Sequence, residues 1–251
     1  MKMELRNGMA IESDADRGII LEKYWNLSLT KEILEKKYGV SSLETIMNKS
    51  WGEEVLYFKS NENIFVFLTG EGSPNAASCV ERLYRQKVKS IVSLGTSGST
   101  SKSIKKGDYI VSLAGIRDDR VTHSYLDSNV PAIADLNLTL RINDALNSKG
   151  YHSKIGVTYS TDARFKENPD LLNKLSKHAK VLNVDMETAT ILLIGSYFNI
   201  PTTAVNIITD SAIEEIDGDF KGVFHDFKSY DTFIYNHYKK LLLTVLKTLD
   251  N

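Results

Sequence analysis

Residues 64–76 read IFVFLTGEGSPNA, an apolar run followed by a glycine-rich turn and a polar segment. The five apolar residues 64–68 are typical of a strand that is covered on both faces. A turn with two glycines follows, and Ser73 and Pro74 are the start signal of a helix, with Ser73 as its N-cap and Pro74 in its first turn. The stretch therefore predicts a buried strand, a tight turn and a helix over residues 74–87.

The same alternation continues along the chain. Further apolar runs at residues 90–94, 109–113 and 203–208 predict buried strands, and helical patterns occupy 136–148, 186–198 and 230–249. No internal repeat or linker interrupts them. Strands that alternate with helices predict a layered α/β fold with helices on both faces of the sheet, as one domain over 1–251.

Composition excludes several classes of protein. The chain has 251 residues, 42% of them hydrophobic, with 31 Lys plus Arg against 32 Asp plus Glu. A near-neutral balance argues against a nucleic-acid or membrane-surface partner. Residues 1–12 lack the apolar segment of a signal peptide, and the apolar stretch at 241–246 is too short to span a bilayer. We therefore expect a cytoplasmic protein. The single cysteine, Cys79, lies in an apolar helical pattern, which favours core filling over nucleophilic chemistry.

Five polar segments are candidates for a site, because ligands bind in such folds where strands end. They are residues 13–17, 69–76, 93–100, 183–190 and 206–212. Each also has an ordinary structural explanation. Tight turns need glycine, Ser/Gly loops are often only solvated, and acids at a helix start favour the helix dipole. An aspartate at a strand end can simply cap the next helix, and a lone arginine can simply be exposed at the surface.

In order and spacing, however, the five segments resemble the nucleoside phosphorylase-I family of uridine phosphorylases, hexameric purine nucleoside phosphorylases and related nucleosidases. Residues 13–17 resemble its Gly-Asp-Pro-x-Arg phosphate turn, and residues 95–98 fall in family order. Residues 130–135 resemble its Phe-Pro-Ala-Val-Ala-Asp segment. Asp185-Met186-Glu187 resembles the Glu-Met-Glu ribose motif with one acid shortened. The resemblance implies a three-layer α/β/α fold with a mixed central sheet of the phosphorylase/hydrolase-like type.

The resemblance also implies roles for individual residues. Ribose would be held by Asp185, Met186 and Glu187, phosphate by Ser13, Arg17, Gly70 and Thr96, and the base by Tyr159, Phe165 and Asp210. Glu187 and Asp210 would be catalytic: a carboxylate beside the oxocarbenium-like ribose stabilises the transition state more than the ground state. Asp210 favours a purine base. Phosphate would be a co-substrate, with no cofactor and no metal.

Three functions stay open at this point. Phosphorolysis of a nucleoside to free base and ribose 1-phosphate is favoured by Arg17 and residues 131–135. Ser93 stands where the family's phosphorylases usually carry an arginine, and residues 49–52 offer only Lys49 where a second arginine is expected. A nucleosidase, which uses water, needs no such arginines, and Glu12 is its candidate base. A non-catalytic nucleoside-binding relative is the third. The family implies a homodimer or a hexamer of dimers.

Overall fold

The computed structural model describes residues 3–4, 10–11, 15–48, 53–164, 168–213 and 227–250. The β-strands are β1 (Met3–Glu4), β2 (Ala10–Ile11), β3 (Arg17–Leu21), β4 (Leu43–Asn48), β5 (Glu53–Lys59), β6 (Ile64–Thr69), β7 (Ser90–Ser99), β8 (Tyr109–Asp118), β9 (Ala132–Ile133), β10 (Ser153–Thr161), β11 (Val181–Asp185) and β12 (Thr202–Ser211). The α-helices are α1 (Asn26–Tyr38), α2 (Ser73–Arg85), α3 (Leu136–Asn147), α4 (Pro169–Ala179), α5 (Thr188–Tyr197) and α6 (Phe227–Asp250). Short 3₁₀ helices lie at Val40–Ser42 and Val121–Ser124.

Ten strands form one mixed sheet, with the order β11-β10-β8-β12-β7-β3-β6-β5-β4 and β9 beside β8. Strands β12, β7, β3 and β6 run parallel to one another, whereas β12 is antiparallel to β8 and β5 is antiparallel to β6. Strand β11 pairs with β10 and also with β7, so that half of the sheet closes on itself. Strands β1 and β2 form a separate antiparallel pair.

Helices cover both faces of the sheet, which confirms the three-layer prediction. Successive residues of β3 point to opposite faces: Ile19 and Leu21 pack with α1, α3 and α6, whereas Ile20 packs with α2 and α5. Such strands are buried on both faces, which is why their sequences are continuous apolar runs. No helix in the described part of the chain is long and apolar enough to cross a membrane.

All four predicted strands and all four predicted helices are present, but the strands are longer than expected. Strand β7 continues through residues 95–99, so the segment that the sequence suggested as a Ser/Gly loop is a buried strand. Strands β3, β4, β5, β10 and β11 and helices α1 and α4 were not predicted from the sequence. Of these, β3 matters most, because its presence places Arg17 in a strand and not in a phosphate turn.

The register of the central strands fixes where the site lies. Leu21 of β3 is opposite both Thr69 of β6 and Leu94 of β7, so these parallel strands end at the same level. The amide of Gly70 donates to the carbonyl of Leu21 at 2.8 Å, and the amide of Glu22 donates to that of Leu94 at 3.1 Å. The residues that follow β3 and β6 therefore meet beside the middle of β7.

Candidate functional site

Three buried carboxyl groups meet at this level of the sheet: Glu22, Asp185 and Glu187, here called the carboxylate cluster. Their exposed fractions are 0%, 6% and 2%, and one oxygen from each lies within 4.8 Å of the others. Glu22 follows β3, Asp185 ends β11, and Glu187 precedes α5. Burial of several like charges is costly unless they are hydrogen-bonded, partly protonated or neutralised by a ligand, which makes the cluster a candidate site.

Glu187 is held by backbone donors on both oxygens. Its Oε1 accepts from the amide of Gly72 at 2.7 Å, and its Oε2 accepts from the amide of Met186 at 3.1 Å. Burial, and then the charge of Asp185, raises the pKa of Glu187 to about 7, against the opposing effects of Lys23 and the two amides. At neutral pH this fixed carboxyl group exists in both protonation states, and its remaining lone pairs can accept hydrogen bonds from hydroxyl groups.

Asp185 accepts hydrogen bonds from side chains of the protein on both of its oxygens. Its Oδ1 accepts from Ser160 Oγ at 2.6 Å, and its Oδ2 accepts from Asn206 Nδ2 at 3.0 Å and from the Thr188 hydroxyl. Burial raises its pKa, and these hydrogen bonds oppose the rise. Through these hydrogen bonds Asp185 joins β10, β11 and β12. Its ribose-binding role stays a prediction.

Glu22 is completely buried, and its surroundings explain Ser93 and Gly95. Its Oε1 accepts from Ser93 Oγ at 2.7 Å. A Cβ atom on Gly95 would lie 1.5 Å from Glu22 Oε2 and 2.4 Å from Asn206 Oδ1, so glycine is required there. Burial, followed by the charges of Glu187 and Asp185, raises the pKa of Glu22 well above its ordinary value. Glu22 therefore fills the space beside Ser93, at the position where the resemblance led us to look for a phosphate-binding arginine.

Lys23 and the start of α2 complete the site. Lys23 Nζ lies 3.1 Å from Glu71 Oε1, its side chain is 13% exposed, and its charge lowers the pKa values of Glu22 and Glu187. Ser73 Oγ donates to Asp162 Oδ1 at 2.8 Å or to the carbonyl of Met186 at 2.9 Å. These contacts tie the start of α2 to the residues around the cluster.

Of the predicted phosphate residues, Arg17 and Gly70 lie at opposite ends of the paired strands β3 and β6. Arg17 begins β3, four residues before Leu21, and its Nε donates to the carbonyl of Leu249 at 3.2 Å. The amide of Gly70 is already used by Leu21, and the Gly70 Cα packs so close to Ile20 that a Cβ would lie 2.9 Å from its Cγ2. These contacts do not favour phosphate binding by Arg17 and Gly70, and the predicted roles of both stay untested predictions. Thr96 is half-buried in β7, where its role stays a prediction, and Ser13 lies outside the described residues.

The predicted base residues lie farther along the same strands. Asp210 is half-buried near the end of β12, opposite Gly98, and accepts from Thr209 Oγ1 at 2.7 Å. Tyr159 is buried in β10, and its hydroxyl donates to Asp118 Oδ2 at 2.5 Å. Phe165 lies outside the described residues. The base-binding roles of Asp210 and Tyr159 stay predictions.

The cluster also offers oxygen ligands for a hard cation, but the oxygens of Asp185 are already engaged. That no metal takes part stays a prediction.

Sequence reasoning missed Glu22 and Lys23, although a signal was present. Residues 17–21 read RGIIL, a buried-strand pattern, and two charged residues follow directly. Polar residues that directly follow a buried strand often build the site of such a fold. Glu12, the suggested base of a nucleosidase, lies outside the described residues, whereas Glu22 is in the site.

The fold and the cluster define an α/β protein with a buried acidic site at the ends of parallel strands. The family model of the phosphorylase superfamily matches residues 38–230, and the chain belongs to that family. It is similar to the purine nucleoside phosphorylase of Plasmodium vivax, with 30% identity over 60% of this chain and 62% of that protein. It is also similar to the uridine phosphorylase of Haemophilus influenzae, with 27% identity over 64% and 69% of the two chains.

Thus the chain spans about three fifths of the length of the curated purine nucleoside phosphorylases that it matches. Solved structures extend the likeness of the fold. Uridine phosphorylase from Vibrio fischeri has a TM-score of 0.75 at 18% identity, covering 95% of this chain and 91% of that one. The 5'-methylthioadenosine/S-adenosyl homocysteine nucleosidase of Campylobacter jejuni has a TM-score of 0.75 at 16% identity, covering 94% and 99%. The expected cytoplasmic location and homo-oligomeric state stay predictions.

Proposed function

We propose that the protein cleaves the N-glycosidic bond of a nucleoside and that Glu187 holds the ribose. The observation that carries this proposal is the fixed, buried carboxyl group of Glu187, whose oxygens face backbone amides on one side and are held beside Met186. As the bond to the base breaks, positive charge develops on the ribose ring. A preorganised carboxylate in a site shielded from water stabilises that charge more than it stabilises the neutral substrate.

We propose a purine nucleoside as the substrate. Asp210 lies on β12, four residues beyond the Asn206 side chain that contacts the carboxylate cluster. Four strand residues span about 13 Å. The distance from the ribose end of the site to Asp210 is therefore similar to the length of a nucleoside. From there its carboxyl group would hydrogen-bond the purine ring and make the base a better leaving group. Relatives include both purine and uridine phosphorylases, so the choice rests on Asp210.

We propose water as the acceptor of the ribosyl group, in place of the phosphate that the sequence favoured. Glu22 is the reason. Its carboxyl group lies among the acids of the cluster, it has a raised pKa, and it takes the hydrogen bond of Ser93. A carboxylate with a raised pKa is a suitable base for water. In the proposed step, the ionised form of Glu22 takes a proton from water, the water oxygen bonds to C1′, and the electrons of the glycosidic bond leave with the base.

Phosphorolysis is the second candidate. The curated relatives named above are phosphorylases, and Lys23 supplies a cation beside the cluster. An unpaired carboxylate at this position would repel a phosphate dianion, so phosphorolysis requires Glu22 to stay protonated. Glu22 therefore separates the two candidates.

The test is to incubate the protein with inosine, adenosine, guanosine and uridine, with and without phosphate, and to measure the release of base and ribose 1-phosphate. We expect release from the purine nucleosides at the same rate in both buffers, with ribose as the sugar product. Glu187→Ala and Glu22→Gln should each lower kcat at least a hundredfold, since each removes a group in contact with the reacting ribose or water.

Each other outcome rejects a defined part of the proposal. Ribose 1-phosphate that forms only with phosphate rejects water as the acceptor and supports the second candidate. Preference for uridine rejects the role of Asp210. Thermal stabilisation by nucleosides without any turnover rejects catalysis and leaves a nucleoside-binding protein. Glu53→Gln is the matched control, because Glu53 is paired with Arg82 and not with the cluster.

A further inference from the structure

A second pocket lies at the opposite end of the sheet from the carboxylate cluster. It has a volume of about 920 Å³ and is bordered by the end of α1, the turn between β5 and β6, the segment after α3 and the C-terminal half of α6. Phe65 forms part of its wall, and Phe65 pairs with Arg17 at the start of β3. Since the cluster lies beyond the other end of β3, the two sites are separated by the length of that strand.

Positive charge dominates this pocket. Six lysines line it, namely Lys37, Lys59, Lys149, Lys239, Lys240 and Lys247, and we call it the lysine pocket. Asp250 is the single carboxylate among the lining residues, and its Oδ1 accepts from Ser60 Oγ and from Asn63 Nδ2. The whole chain carries a net charge of only -1. The six ammonium groups around this cavity therefore form a local concentration of positive charge that the net charge of the chain does not reveal.

The lysines are close enough to affect one another. Burial, and then the charges of Lys247 and Lys37, lowers the pKa of Lys149, whose Nζ donates to Thr244 Oγ1 at 2.9 Å. Repulsion among like charges is relieved when an anion binds between them. Clustered lysines do not stabilise the folded protein, whereas they do stabilise the binding of a ligand with several negative charges.

We propose that the lysine pocket binds a polyphosphate group, meaning two or more linked phosphates, either free or as part of a nucleotide. Lysine ammonium groups are point charges that suit phosphate oxygens from many directions. Six such groups against one carboxylate call for a ligand with several charges. The volume is in the range of small-molecule sites, which favours a compact anion over a nucleic-acid duplex.

Aromatic rings at the margin distinguish the two sources of polyphosphate. Tyr38 is 44% exposed, with Lys37 Nζ 5.4 Å from its ring centre, and Lys240 Nζ lies 5.4 Å from the ring centre of Tyr151. An exposed ring beside the ammonium groups offers a stacking surface for a nucleotide base. A nucleotide would use both the rings and the lysines, and inorganic tripolyphosphate would use the lysines alone.

The test is isothermal titration calorimetry with inorganic tripolyphosphate and with ATP. The test variant is Lys149→Ala/Lys247→Ala, and the matched control, with the same change of net charge, is Lys102→Ala/Lys177→Ala, whose positions do not line the pocket. We expect binding by the wild type, at least tenfold weaker binding by the test variant, and a change of less than twofold in the control. Added salt should weaken binding, because ion pairs with phosphate are screened.

The proposal is overturned if neither tripolyphosphate nor ATP binds at millimolar concentration. It is also overturned if binding is weakened equally in the test and control variants. Tighter binding of ATP that Tyr38→Ala abolishes supports the nucleotide form, and equal affinities support the free polyphosphate. If Lys149→Ala unfolds the protein through loss of its bond to Thr244, Lys240→Ala/Lys247→Ala replaces it. Nucleoside cleavage is not measured, so the result is independent of the proposed function.

Discussion

Two buried oxygen atoms in the site, both next to Gly95, have no hydrogen-bond donor in the described part of the chain. Glu22 Oε2 and Asn206 Oδ1 are both buried, and neither has a hydrogen-bond partner among the described residues. The amide of Asn206 cannot simply be reversed, because its Nδ2 donates to Asp185 Oδ2 at 3.0 Å. A proton on Glu22 would supply the missing donor. Burial, followed by the charges of Glu187 and Asp185, raises the pKa of Glu22 and so favours this protonated form.

We therefore predict that Glu22→Gln stabilises the protein. The amide of glutamine can donate to Asn206 Oδ1 while its oxygen still accepts from Ser93 Oγ. The raised pKa of Glu22 means that the wild type loses stability as pH rises from the ordinary glutamate value through the folded-state pKa. The variant does not titrate there, so its advantage should grow as the pH rises above the ordinary glutamate value.

Denaturant unfolding of both proteins across this pH range measures the difference. Ser93→Ala is the matched control, because it removes the donor to Glu22 Oε1 and leaves the carboxyl group able to titrate. A variant that is less stable than the wild type at every pH would mean that Glu22 is ionised and held by contacts we have not identified. Stabilisation together with loss of turnover would mark Glu22 as a residue kept for chemistry.

At the scale of elements, apolar runs were informative and polar strands were not. Residues 64–68 and 203–208 are covered on both faces, so their composition alone predicts β6 and β12. Strand β10 carries Ser, Thr and Gly, because Thr158 and Ser160 hydrogen-bond to Asn183 and Asp185 of the neighbouring strand. Buried hydroxyl networks of this kind look like loops in a sequence, since their partners are far away in the chain.

Close packing of β8 against α5 gives a prediction at this scale. A Cβ atom on Gly115 would lie 2.6 Å from the Cα of Ala189, which is helix backbone and cannot move alone. We expect Gly115→Ala to lower the free energy of unfolding by about 3 kcal/mol and to lower turnover, because α5 begins next to Glu187. Chemical denaturation and steady-state kinetics of the variant measure the two effects.

Gly156→Ala in β10 is its control. The atom nearest to the new Cβ would be the Cδ1 of Leu182, at 2.3 Å, which is the end of a flexible side chain that can rotate away. The cost should be less than half of that at Gly115. Equal costs at the two positions would show that the helix backbone moves as easily as a leucine side chain, and the packing argument would then fail.

At the scale of the whole molecule, the sequence supplied the layers but not the order of the strands. Ribose residues Met186 and Glu187 were found because they are adjacent in sequence and lie on one turn. Glu22, Ser93 and Asn206 meet only because β3, β7 and β12 are neighbours in the sheet. That arrangement is fixed by pairings between residues about 70 to 110 positions apart, and a pattern along one chain carries no direct record of it.

The two ends of β3 provide the last prediction. Arg17 at one end joins the strand to the end of α6, and Lys23, just past the other end, lies beside the carboxylate cluster. Arg17→Gln should lower the free energy of unfolding by about 1 kcal/mol, for the lost hydrogen bond, and leave kcat/KM within twofold.

Lys23→Gln should have the opposite pattern. Without its charge the pKa of Glu187 rises further above 7, so less carboxylate is present at neutral pH and turnover falls severalfold with little change in stability. Unfolding curves and kinetics on the two variants test this division. If Arg17→Gln instead reduced turnover at unchanged stability, the result would support phosphate binding by residues 13–17. The site described around Glu22 would then be incomplete.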